Sequence, residues 1–262
     1  MTRSRRFAEL RASEITARLA PTSVLVQPIA AVEQHGPHLP LATDLLTVEA
    51  ALGRLAETRG EELDLWILPA LAYGKSNEHE WSAGTVSLSA GTLLGVLDDL
   101  GRSLSKLPTR RLAFVNGHGG NVPLLGVALR ELRQTHGLTT FLLNALPPPA
   151  YTGGGPATVL ELGMGIHAGR DETSLMLHLH PDLVDLAALG SFVPPDVGGY
   201  EHVRFGGDTA FGWLSDDFSD NGVIGDPRGA SAEAGAALFE AMIDRLAAAL
   251  AEVGTFNFPP RL

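Results

Sequence analysis

The sequence predicts an α/β fold, a mostly parallel sheet flanked by helices in three layers. Three observations lead there. Short apolar runs alternate with longer segments of helical periodicity. The runs are too uniformly apolar for strands with one wet face, so both faces are expected to be covered. Hydrophobic residues make up 45% of the 262 positions and charged residues 19%, enough for a core between layers.

Strands are read at residues 23–28 (SVLVQP), 65–68 (LWIL), 111–115 (RLAFV) and 139–143 (TTFLL). Between them, helices are expected over 44–58, 90–107 and 122–135. The first begins at an acidic residue after a Thr, and Pro108 closes the second. Two more follow, over 172–179, ended by Pro181, and over 232–251. Residues 147–156 (PPPAYTGGGP) hold too much Pro and Gly for a helix or central strand, and 190–230 lacks sustained periodicity. Loops of that length usually shape a substrate or act as lids. No internal repeat is found, and residues 1–262 are expected to form one domain built on a doubly wound sheet.

Composition excludes several functions. Lys+Arg number 19 against 30 Asp+Glu, a formal charge of −11, which argues against nucleic acid or an anionic membrane as partner. With no cysteine, disulfides, thiolate catalysis and cysteine-ligated metals are ruled out, so any metal must use His and carboxylates. The basic start is followed by no apolar segment of the signal-peptide kind, and no run of about 18 apolar residues occurs. The expectation is a soluble, cytoplasmic protein.

Three clusters carry chemistry. The first, residues 31–44 (AVEQHGPHLPLATD), follows the first strand directly, at the carboxyl end where open α/β sheets place ligands. Strand alternation would point Glu33 and His35 to one side, and Asp44 returns a carboxylate at the start of the next helix. A Glu, a His and an Asp together suit Zn²⁺, Mn²⁺ or Fe²⁺, while a polar loop with Asp44 as a helix cap is the plainer alternative. The second cluster is residues 116–121 (NGHGGN), at the end of the third strand, where glycine would let a ligand approach His118. A phosphate-binding turn competes with that reading, although no G-x-G-x-x-G or G-x-x-x-x-G-K-[ST] pattern is present. The third is residues 167–174 (HAGRDETS), where His167 could be a proton donor or a structural histidine. Glu172 there could be a ligand or an acidic residue favoured in a helix's first turn.

Other residues are read structurally. His178 and His180 fall at a helix end, Trp66 in a strand core, and His38 between prolines in a loop-shaping role. Ser76, Glu78 and His79 either line the pocket or sit in solvent. Gly119 is placed with the pocket because a bare backbone admits a substrate.

Together the clusters resemble the creatininase family of metal-dependent amidohydrolases. The match runs through E-Q-H-G-P-H-L-P-L-x-T-D at 33–44, N-G-H-x-x-N at 116–121 and H-A-G-x-x-E-T-S at 167–174. Further blocks fall at 72–79 with 84–88, and at 222–227 with 230–235, so the likeness spans about residues 20 to 250. It implies a creatininase-like fold and two divalent metal ions per subunit (Zn, Mn or Fe). Glu33 and His118 would help hold one, His35 the other, and Asp44 would bridge. Creatininase itself has a glutamate just before the last Asn of the N-G-H block. This chain has Gly120, and Glu172 is expected to supply the replacement carboxylate.

The implied chemistry is cleavage of a C–N amide bond in a cyclic or small amide by metal-activated water. His167 would be the general acid for the departing nitrogen, with Glu172 sharing the proton traffic if it is not a ligand. Relatives are commonly hexameric, so a homo-oligomer is expected. Creatinine itself is disfavoured, because the family's pocket tryptophans precede the H-A-G block, whereas 147–162 contains Tyr151 and no Trp. Trp81 and Trp213 lie elsewhere. Alternative family activities are trimming of the mycofactocin precursor peptide and formamide hydrolysis in deazaflavin or pterin synthesis. Residues 211–217 (FGWLSDD) favour the generic amidohydrolase branch over the peptidase. Outside the family lies a non-catalytic phosphate- or nucleotide-binding module, which would be stabilised by phosphate and bind no stoichiometric metal.

Overall fold

The structure is a computed structural model and describes residues 4–146, 161, 165–194, 200–203 and 208–258. The Pro/Gly segment 147–156, Tyr151 and most of the loop 147–162 lie outside the described residues, as do parts of 190–230.

Strands β1 (Val24–Ile29), β2 (Leu65–Ile67), β3 (Arg111–Asn116) and β4 (Thr139–Asn144) form one parallel sheet in the order β2-β1-β3-β4. After a short helix α1 (Ile15–Arg18), the long helices are α2 (Thr43–Thr58), α3 (Ala90–Leu104), α4 (Val122–His136), α5 (Arg170–Leu179) and α6 (Ala232–Thr255). Every strand and long helix expected from the sequence is present, with altered ends. The second long helix stops at Leu104 rather than 107. Lys106 and Leu107 bond back to Ser103 and Leu104, tightening the chain into turns before Pro108 is reached. Helix α2 begins at Thr43 with Ala42 as its cap residue, so Asp44 sits inside the first turn and does not cap it. The end of α4 follows the expected chemistry: Gly137 takes φ 67° and donates its N–H to Arg133.

Strand alternation divides the core. Val24, Val26, Ala113 and Val115 pack on one face with Val48, Leu52 and Leu55 of α2 and Met242, Leu246 and Leu250 of α6. Leu25, Ile29, Leu112 and Phe114 pack on the other with Leu93 and Leu97 of α3 and Leu125 and Leu132 of α4. Trp66 belongs to this second core, as read from the sequence.

The strand order reverses beside β1, whose two sheet neighbours are reached by connections on opposite faces of the sheet. That leaves a crevice beyond the carboxyl ends of β1 and β3. The first two clusters open directly into it. Among the described residues, no helix is long and apolar enough to cross a membrane.

Candidate metal centre

The loop after β1 is pinned by Glu33 N–H donating to Leu41 O, by a bridge from Val32 to Val86, and by Asn121 Nδ2 donating to Ala30 O. These contacts turn Glu33 and His35 inward, and α2 brings Asp44 to them. Glu33, His35 and Asp44 offer ligand atoms within 4.8 Å of one another, as do Glu33, His79 and His167, and His35, His167 and Glu172. His118, delivered from the end of β3, lies 3.2 Å from Asp44 through Nδ1. Ser76, Glu78 and His79 are buried, which removes the reading that placed them in solvent. Gly119 is exposed and faces open space.

The hydrogen-bond directions carry more information than the distances. A carbonyl oxygen can only accept, so a ring nitrogen bonded to one must carry the hydrogen and leave the other nitrogen as a bare lone pair in the neutral ring. His35 donates from Nδ1 to Glu33 O (3.1 Å), His118 from Nε2 to Lys75 O (3.2 Å), and His167 from Nε2 to Gln34 O (2.6 Å). Their other nitrogens all face carboxylates. His35 Nε2 is 3.2 Å from Asp44 Oδ1. His118 Nδ1 is 3.2 Å from both Glu33 Oε1 and Asp44 Oδ2, and His167 Nδ1 is 3.7 Å from Glu33 Oε1. Lone pairs thus meet negative oxygens in a buried site, an arrangement that is stable only with protons or cations between them. Among the described residues, Asp44 Oδ2 is left with no hydrogen-bond donor, its neighbour His118 Nδ1 being one of these lone pairs.

His79 is oriented the other way. Gln34 Nε2 donates to its Nδ1 (2.7 Å), so Nε2 carries the hydrogen and points at Glu33 Oε1 (3.6 Å). Its ring stacks on His167 at 4.1 Å. Ser76 Oγ donates to Glu33 Oε2.

The electrostatics follow from this packing. Burial opposes charge on His35, yet the Asp44 carboxylate holds its pKa up at about 10. His118 is likewise raised against burial, by Glu33 and Asp44. Burial disfavours the Asp44 anion, but His35 and His118 hold its carboxyl well below the usual range. His167 goes the opposite way, because burial and the neighbouring His35 keep it neutral. Burial lifts Glu172 to about 7, while Ala168 N–H donates to its Oε2 (2.6 Å). Ala168 holds φ 52°, a left-handed conformation uncommon outside glycine, and this aims the amide at Glu172.

Some residues of the site were given no role from the sequence. Gln34 orients both His79 and His167, and its Nε2 also donates to Gly222 O. Its place between Glu33 and His35 was the available signal. Asn121 ties Lys75, Ala30 and Asn116 together and so joins two of the loops. His38 is buried and bonds Thr173 Oγ1 of α5 (2.9 Å), in keeping with its loop-shaping role. Trp81 donates to Ser215 Oγ (2.6 Å), and the Trp213 ring lies 5.8 Å from Phe218.

Comparison with known proteins agrees with this geometry. The family pattern described as creatininase, creatinine amidohydrolase, matches residues 8–250. The chain is 36% identical over 225 residues to the mycofactocin precursor peptide peptidase of Mycolicibacterium smegmatis, covering 84% of this chain and 81% of the relative. It is 33% identical over 282 residues to the creatinine amidohydrolase of Pseudomonas putida, covering 99% and 100%. A solved structure described as creatininase Mn superposes with a TM-score of 0.74 at 30% identity, covering 95% and 98%. Sequence blocks, sheet and site thus all lead to one assignment: this chain belongs to the creatininase family.

Proposed function

We propose that the chain is a divalent-metal-dependent hydrolase of a C–N amide bond in a small or cyclic amide. The observation that carries this reading is the pair of imidazoles His35 and His118, whose outer N–H groups are taken by carbonyls and whose inner lone pairs face Glu33 and Asp44. Metal-ligating histidines characteristically donate their remote N–H in this way. The nitrogen and oxygen donor set, without sulfur, suits Zn, Mn or Fe. Glu33, His35, Asp44 and His118 would hold two ions, with Asp44 shared between them and Glu172 as the further carboxylate on the His35 side. When bound, such a pair activates water at neutral pH and polarises the scissile carbonyl.

The chain's own groups supply the rest. Burial and the neighbouring His35 keep His167 neutral, so its bare Nδ1 can first take the proton given up by the attacking water and then pass it to the departing nitrogen. Where Glu172 does not ligate, its carboxyl, lifted by burial to about 7, can exchange that proton. Ser76 fixes Glu33, and His79 packs against His167 and limits its rotation. The open backbone at Gly119 offers an approach for the substrate. We assign these roles to one domain, working as a homo-oligomer.

A second reading, trimming of a short peptide, is favoured by the identity to the mycobacterial peptidase. One experiment tests both: metal analysis of the purified protein, coupled to a screen of cyclic amides, formamides and short C-terminal peptides. About two divalent ions per chain, with turnover of one of the first two classes, is the expected result. Turnover of peptides alone would select the second reading. A metal-free protein stabilised by phosphate would overturn both.

A further inference from the structure

We infer that Glu78 is the carboxylate that positions His118 from behind, in the space that Gly120 leaves free. The inference rests on the metal-centre reading above and extends it to a residue otherwise placed with the substrate pocket.

Of the three imidazoles with inward lone pairs, His118 has a described carboxylate beside its outer nitrogen: Glu78 Oε1 lies 3.3 Å from Nε2, where Lys75 O also accepts. Glu78 is largely buried and comes from the short turn Asn77–His79, whose main chain is anchored by Ser215 Oγ donating to Glu78 O (2.9 Å). A Cβ built on Gly120 would overlap Glu78 Oε1 outright and stand 2.5 Å from His118 Nε2. Any side chain at position 120 therefore competes with Glu78 for one volume. The space opposite His118 that a position-120 side chain could fill is already taken by a carboxylate from a different loop.

A carboxylate behind an imidazole fixes the tautomer and makes the inner nitrogen a stronger donor. Here it would keep hydrogen on Nε2 and the lone pair of Nδ1 between Glu33 and Asp44. Glu172 sits elsewhere, with His35 and His167, so the two acids serve opposite ends of the site.

The test titrates chelator-stripped full-length protein with Mn²⁺ alone, by calorimetry. The parent should show two binding events. Glu78→Gln, which keeps the shape and removes the charge, should weaken one event about 10- to 100-fold. The other event should be unchanged, and the apoprotein melting point should stay within about 3 °C of the parent. Gly120→Ala should weaken the same event by expelling Glu78. In Glu78→Gln/Gly120→Ala the losses should be less than multiplicative, because the two residues contend for one space. Parent affinity in Glu78→Gln, or strictly multiplicative losses, would overturn the inference and leave the metal-centre reading intact. A parent that binds no Mn²⁺, with Zn²⁺ and Fe²⁺ also failing, would overturn that reading and this inference with it.

Discussion

The two ends of the same strands bury polar side chains in opposite ways. At the amino end, Asp64 accepts from Arg5 Nη1 (2.9 Å) and from Ser23 Oγ (2.5 Å), while Thr109 Oγ1 donates to Ser23 O (2.5 Å). Donors there meet acceptors, and the group is complete without a ligand. At the carboxyl end, the lone pairs of His35, His118 and His167 face the carboxylates of Glu33 and Asp44, and among the described residues Asp44 Oδ2 has no hydrogen-bond partner. One end is closed by its own hydrogen bonds and the other is arranged to receive positive charge. What separates a structural polar cluster from a binding one is the direction of its hydrogen bonds; both contain charged side chains.

Substitutions at the two ends should therefore differ in kind as well as size. The largest effect is expected from Asp44→Ala or His35→Ala, which should retain the fold by circular dichroism and lose bound metal. Turnover should fall on the order of 10³-fold or more, about 4 kcal/mol of transition-state stabilisation. Full metal content in either variant would make the carboxyl end no different from the amino end. His167→Ala should keep its metal and lose about 10²-fold or more in kcat. Loss of an ion in that variant would move His167 from proton transfer to ligation, and an unchanged kcat would remove its catalytic role. Glu172→Gln should weaken one metal event, and two events at parent affinity would end its assignment as a ligand.

Smaller effects are expected where acceptors are already satisfied. Glu161 is buried near α5, and its Oε1 accepts from Arg170 N–H (3.2 Å) and Asp226 N–H (2.9 Å). Glu161→Ala should cost about 2 kcal/mol in denaturant unfolding, because two amides lose their acceptor. Burial raises this carboxyl above its usual 4.5, so the folded chain holds the proton more tightly than the unfolded one. Its contribution is then greatest below that value and is lost as pH rises through the raised pKa. The parent should gain stability relative to Glu161→Gln as pH falls from neutrality, and parallel pH profiles would contradict this. Asp64→Ala, at the amino end, should cost only about 1 kcal/mol, since its carboxylate is partly exposed and water replaces some of what is lost. No metal event should change.

Much of the fold was legible because its signals are local. The uniformly apolar runs around Val24 and Leu112 required a sheet covered on both faces, and the two cores found on either side meet that requirement. Helix ends were less legible. Leu104 ends α3 through hydrogen bonds that form before Pro108, and that choice depends on the turn rather than on residue type. In the candidate site, the residue types of Glu33, His35, Asp44 and His118 were readable from their spacing after two strands. Gln34 was passed over because its work, holding His79 and His167, joins residues separated by 45 and 133 positions. Glu78 was placed with the substrate pocket because nothing local shows that its carboxylate fills the space beside Gly120.

The sequence by itself determined the sheet, its covering helices, the loops that carry the chemistry and the family, because periodicity and motif order are properties of contiguous residues. Only the tertiary structure decided which nitrogen of His118 and of His167 carries hydrogen, since Lys75 and Gln34 lie 43 and 133 residues from the rings they receive. It likewise decided that Glu78, rather than a side chain at 120, stands behind His118. Those outcomes depend on where separate loops meet in space, and on the rule that a buried donor or acceptor must find its complement.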